Sequence, residues 1–175
     1  ETEKWDLFVE LLKDRGFDVE LVKIPGLTAK IDRAWDLDDY VKWLYEVIKK
    51  EKGKVILIGH SNGGRIAASY VAQYPGRVEH LVLINSSGIY HNESYLRLKR
   101  FFFRTLAKIG RKIKNSQSLR DFLYELVGEK GYRDASPIMK QTLRNLISVD
   151  LTSELPKINI PTLIIWGKKD KITPL

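Results

Sequence analysis

Cysteine is absent from the 175 residues and methionine occurs once. Without cysteine there is no disulfide scaffold and no thiolate-ligated zinc or iron–sulfur site. No run of 18 apolar residues occurs, which excludes a helical membrane span. Internal repeats and low-complexity tracts are missing too, and 43% hydrophobic residues is too many for a disordered chain. At roughly 100–200 residues per domain, the length suits one globular domain with a real core. The chain opens on Glu1 rather than Met, and residues 171–175 read as a loop. The expectation is a piece of a longer chain, in which a missing signal peptide fixes no compartment.

Excess charge is scarce outside one segment. Lys and Arg number 30 against 22 acidic residues, a formal charge of +8. Residues 97–114 hold eight of the basic residues and no acid, so the remaining 157 residues balance at 22 against 22. Any attraction to anions is the property of that segment. It also carries Leu98, Phe101, Phe102, Phe103, Leu106, Ile109 and Ile113, with a helical recurrence at 102, 106, 109 and 113. The leading reading is a helix with its apolar stripe on the core and a solvated basic face. A membrane-surface or acidic-ligand role comes second, because basic amphipathic helices with aromatics lie in interfaces. Nucleic acid is set aside, since no binding motif accompanies the charge.

Trp5, Phe8, Val9 and Leu12 predict a helix over about 3–15, ended by Gly16. Residues 17–24 alternate apolar and polar before Pro25-Gly26 and predict a strand and a turn. Leu37, Tyr40, Val41, Leu44, Val47 and Ile48 mark the face of a second helix. Asp36 or Asp38 stands at its start, Lys49, Lys50 and Lys52 at its end, and Gly53 closes it. Residues 55–58 form an apolar run of β-favouring residues, the mark of a strand buried on both faces. Ile66, Ala67, Val71 and Ala72 predict a small-residue helix ending before Pro75-Gly76, and residues 78–84 the next buried strand. A largely helical stretch runs from about 93 to 150, and residues 160–166 give a last strand with Pro161 near its start. Elements in the order αβαβαβ, a helical insertion and β predict an α/β parallel sheet with flanking helices.

Gly59-His60-Ser61-Asn62-Gly63-Gly64 lies between a predicted strand and a predicted helix and fits G-x-S-x-G. Its context supports the motif: a serine on a very sharp turn presents Oγ clear of the backbone. Glycines two residues before and after it remove Cβ atoms that would collide there. The helix that begins at Asn62 aims free N–H groups at the serine, so the Asn62 amide could stabilise an oxyanion formed on attack. A glycine-rich turn of a nucleotide-binding fold is the competing reading. Neither G-x-G-x-x-G nor a Gly-Lys-Ser/Thr loop is present to support it.

Those residues, with Tyr74-Pro75-Gly76-Arg77-Val78 leading into Leu81-Val82-Leu83-Ile84-Asn85 and the late Pro161-Thr162-Leu163-Ile164-Ile165-Trp166-Gly167-Lys168-Lys169-Asp170, resemble the α/β-hydrolase fold family over nearly the whole chain. The resemblance implies a hydrolase core over 1–88 and 156–175 with a helical cap over 89–155; within that cap, 132–139 and 149–151 are similar to the caps of small esterase-like members. It also implies that Ser61 is the nucleophile, the Asn62 amide half of the oxyanion hole, and Asp170 the acid that orients a catalytic histidine. Without the resemblance, Asp170 reads first as a turn residue in Gly-Lys-Lys-Asp.

Serine attack needs a general base, and the family places its histidine beyond the acid. His60 precedes the serine inside the turn with its side chain expected to project away, His80 falls at the solvent end of a strand, and His91 could border the pocket. None of the three matches the family position, so the histidine is expected outside residues 1–175, and these residues alone are expected to be nearly inactive. The expected activity of the whole protein is hydrolysis of a carboxylic ester or related acyl or C–C substrate through an acyl-enzyme. The aromatic-rich cap points to a small hydrophobic substrate. The alternative is a non-catalytic ligand-binding protein of the same fold, associated with a membrane surface through residues 97–114. No cofactor and no metal is expected, a cytoplasmic location is the default, and the oligomeric state is left open.

Overall fold

The computed structural model describes residues 5–27, 29–89, 136–170 and 173. Among them are the helices α1 (Asp6–Lys13), α2 (Leu37–Ile48), α3 (Asn62–Gln73) and α4 (Pro137–Ile147), and the strands β1 (Val55–His60), β2 (Val78–Ile84) and β3 (Thr162–Ile165). The strands form one parallel sheet in the order β1-β2-β3. Register places His60 opposite Ile84 and Ile84 opposite Ile165, so all three strands end level. The segments that follow them, at Ser61, Asn85 and Trp166, leave from one edge. The carboxyl edge of an open parallel sheet is where such folds place their sites.

Each helix is explained by its own residues. Asp36 caps α2 with a reciprocal box: its carboxylate accepts the Asp39 N–H at 2.9 Å, and the Asp39 carboxylate accepts the Asp36 N–H at 3.1 Å. Arg33 grips the same Asp39 through two 2.8 Å bonds. That guanidinium, with the Asp36 N–H, holds the Asp39 carboxyl at about 2, below its ordinary 3.8. In α4, the Ser136 hydroxyl caps the Met139 N–H at 3.1 Å and Pro137 opens the first turn. Thr142 and Asn145 of α4 fasten the Trp35 backbone through bonds of 3.1 and 3.0 Å.

One core joins these parts. Tyr40, Val41, Leu44 and Ile48 of α2 meet Ile66, Ala67, Ala68 and Val71 of α3, which lies on Leu81 and Leu83 of β2; Leu146 and Leu151 complete the cluster. The alanines let α3 lie close to the sheet. The Tyr40 hydroxyl donates to the Pro25 carbonyl at 2.6 Å, and burial pushes its pKa up to about 12. The Tyr70 hydroxyl is buried with no partner among the described residues.

Several expectations change. Residues 17–24 form no strand: Phe17 and Leu21 are exposed, and the nearest pairing is a single bridge from Pro25 to Ala29. Period-two alternation needs a neighbouring ladder to become a strand, and none of the described residues offers one. The β1 run is buried on one face only, with Ile56 and Ile58 exposed. Gly53 does not close α2, which ends at Ile48 with Lys49 as its C-cap. The last strand is shorter than expected, Thr162–Ile165, with Pro161 just before it. Of the helical stretch over 93–150, α4 is described; residues 90–135, with His91 and the basic segment 97–114, lie outside the described residues.

Candidate active site

Ser61 links β1 to α3 at φ +52°, ψ −121°, a backbone conformation that costs a side-chain-bearing residue on the order of 1–3 kcal/mol. The turn is held from all sides. The Ser61 N–H donates to the Ile84 carbonyl at 3.2 Å, while the Ser61 carbonyl accepts the N–H groups of Gly64, Arg65 and Ser87 at 3.1, 3.2 and 3.1 Å. A Cβ on Gly59 would lie 2.6 Å from the Gly64 Cα and 2.7 Å from the Gly63 carbonyl oxygen, both backbone atoms that cannot swing away. A Cβ on Gly64 would lie 2.8 Å from the Ser86 Cβ. On Gly63 it would meet the Ile24 Cδ1 at 3.6 Å, an ordinary contact. Steric need at this turn therefore rests on Gly59 and Gly64, not on the Gly59 and Gly63 pair expected from the motif.

Asn62 opens α3, and its backbone N–H is uncommitted among the described residues, as the first N–H groups of a helix are unless capped. Its side-chain oxygen accepts the Ser87 hydroxyl at 3.1 Å. His60 is exposed, with its ring 5.7 Å from that of Trp5, and His80 is exposed on β2.

The second half of the site follows β2 and β3. Asn85, at φ +42°, donates its amide to the Asp170 carboxylate and accepts the Gly167 N–H at 3.1 Å through its side-chain oxygen. Thr173 adds its N–H to Asp170 Oδ1 at 2.9 Å and its hydroxyl to Oδ2 at 3.0 Å. These three donors hold the Asp170 carboxylate in a fixed orientation. The two halves share a backbone: Ser61 is tied to the Ile84 carbonyl, and the next residue, Asn85, holds Asp170.

A family model described as "Serine aminopeptidase, S33" matches residues 8–175. The chain belongs to this α/β-hydrolase family. A pimeloyl-(acyl-carrier protein) methyl ester esterase of Shewanella woodyi is 29% identical over 90% of this chain and 68% of its own length. A solved α/β hydrolase from a deep-sea metagenome library matches with a TM-score of 0.61 at 21% identity, over 99% of this chain and 70% of its own. A probable hydrolytic enzyme of Pseudomonas aeruginosa gives a TM-score of 0.66 at 22% identity, over 95% of this chain and 61% of its own. At those identities the two structures speak for the fold. This hydrolase chain spans about two thirds of such relatives.

Several residues around the candidate site escape a reading of the sequence: Asn85, Ser86 and Ser87 after β2, Thr173 after β3, and Arg65 inside α3. A signal existed for the first three, polar residues directly after a buried strand that ends level with the serine turn. Thr173 stands three residues beyond Asp170, the spacing of a side chain that closes a turn.

Proposed function

We propose that the whole protein is a serine hydrolase of acyl esters, with Ser61 as nucleophile and the Asn62 N–H as one oxyanion donor. The observation that carries this reading is the left-handed Ser61 backbone at the head of α3, beside an uncommitted Asn62 N–H. Ser61 Oγ would attack the acyl carbonyl while a histidine base removes its proton. Negative charge then develops on the carbonyl oxygen, at the positive end of α3, where the Asn62 N–H donates to it. Collapse expels the alcohol, which takes the proton from the histidine, and leaves Ser61 acylated; water, deprotonated by the same base, returns the acid and free serine. Asp170, held by Asn85 and Thr173, would orient the histidine. His60 and His80 are assigned no part: both are exposed, and the His60 ring lies beside Trp5.

The family's description names an aminopeptidase and the curated relative is an esterase of a methyl ester on an acyl chain. An acyl-enzyme serves both amide and ester. We favour a small hydrophobic acyl ester because an alkoxide leaves more readily than an amine, and because the relative named for esters matches over most of the chain. Residues 89–155 are proposed as the cap over this substrate, and no metal or organic cofactor is needed for the steps described.

Turnover of short p-nitrophenyl esters and of an aminoacyl p-nitroanilide by the intact gene product tests the proposal. Ester hydrolysis is expected, with Ser61→Ala reducing it to background and Asp170→Asn lowering kcat by about 10²–10⁴-fold. Turnover of the anilide alone would move the substrate class to peptides. Ester activity that survives Ser61→Ala would refute the reading. Ligand retention without any turnover would favour a binding protein of the same fold.

A further inference from the structure

Arg65 is 5% exposed, a charged group inside a helix otherwise made of small and apolar residues, and the proposed chemistry does not use it. A buried guanidinium persists only with acceptors around it, and its acceptors here are specific. Nη1 donates to the carbonyls of Leu146 and Val149 at 2.6 and 2.5 Å, at the C-terminal end of α4, where the helix dipole is negative. On its other side, Nε donates to the Ser87 hydroxyl at 3.3 Å. Ser87 hands that order onward: its hydroxyl donates to the Asn62 side chain at 3.1 Å and its N–H to the Ser61 carbonyl at 3.1 Å. The two segments tied by Arg65 also meet directly, through the Leu151 N–H on the Gly88 carbonyl at 2.8 Å.

We propose that Arg65 is a positioning residue that couples the C-terminal end of α4 to the serine turn through Ser87, and thereby sets the orientation of Asn62. The proposal rests on the serine-hydrolase reading for its catalytic consequence and on the hydrogen bonds alone for the coupling. The planar guanidinium fork spans two carbonyls on one side and a hydroxyl on the other; the ammonium of lysine is a single point that cannot reach both. Arg65→Lys is therefore not a conservative change here. Ser87→Ala cuts the chain at its middle link while leaving Arg65 on the α4 carbonyls, so that packing is preserved.

The test uses the intact gene product with an ester substrate, sites counted by titration with a phosphonate inhibitor, and backbone amide NMR. Ser87→Ala and Arg65→Lys are each expected to lower kcat per titrated site about tenfold with KM nearly unchanged, the pattern of an interaction made only in the transition state. The double variant is expected to be no worse than Arg65→Lys alone, since both cut one path. The Asn62 amide resonance should shift in Ser87→Ala. An unchanged kcat per site in both variants, with only a lower unfolding midpoint, would overturn the proposal, as would additive losses in the double variant. Should the wild-type protein show no Ser61-dependent turnover, the functional reading fails by itself. The Asn62 amide then decides the coupling, and no shift in Ser87→Ala would overturn it.

Discussion

At the scale of single residues, the serine turn separates what a pattern needs from what a structure needs. G-x-S-x-G names Gly63, yet a Cβ there finds ordinary room, whereas Gly64 faces Ser86. Gly63→Ala should therefore fold normally and keep its activity, free of strain and gaining up to about 1 kcal/mol from better helix propensity. Gly59→Ala should cost more than about 2 kcal/mol and disorder the turn, because the obstructing atoms are backbone. Urea unfolding of the pair, with ester turnover, checks both. Similar tolerance at 59 and 63 would contradict the geometry. The role of Gly64 was not legible in the sequence, because its obstacle, Ser86, is 22 positions away and is brought there by the pairing of β1 with β2. Tyr70→Phe makes the opposite kind of prediction. Removing a buried hydroxyl that has no partner among the described residues should leave stability unchanged or raise it by about 1 kcal/mol in chemical denaturation.

At the scale of elements, α2 was legible because its apolar face and the acid at its start are local signals; of the two candidates, Asp36 and Asp38, the structure makes Asp36 the cap. The segment 17–24 was misread for the converse reason: strand formation depends on a partner that no local pattern reveals. Charge at the head of α2 gives a pH prediction. The Asp39 carboxyl sits at about 2, below its ordinary 3.8, so its contribution is present above about pH 4 and is lost as pH falls towards 2. Because Arg33 is largely exposed, water screens the pair and the contribution is modest. Asp39→Asn should lower the unfolding midpoint at pH 7 and progressively less as pH falls through 2; a cost independent of pH would rule out the ion pair as its source. For α4, Leu146 is wholly buried, and Leu146→Ala should cost about 2–5 kcal/mol. That loss would also loosen the carbonyls that Arg65 grips.

At the scale of the whole molecule, the parallel sheet, the family and the order of elements apart from the strand expected at 17–24 were legible, since buried strands and a glycine-bounded serine leave strong local marks. The network around Asp170 was legible only in its acid. Asn85 comes to it from the end of another strand, which no spacing announces, whereas Thr173 lies three residues on in the same loop. The sheet carries exposed apolar residues, Ile56 and Ile58 on β1 and Leu163 and Ile165 on β3. Residues 1–175 alone should accordingly enhance ANS fluorescence at neutral pH while keeping near-UV circular dichroism, a native apolar face rather than a molten state. Absence of the enhancement would show that this face is covered. The central claim concerns Ser61, and covalent trapping tests it most directly: the intact gene product is treated with a fluorophosphonate and its peptides are mapped by mass spectrometry. The account predicts one stoichiometric adduct, on Ser61, absent from Ser61→Ala. An unmodified Ser61 in the folded protein, or an adduct on another residue that persists in Ser61→Ala, would contradict it.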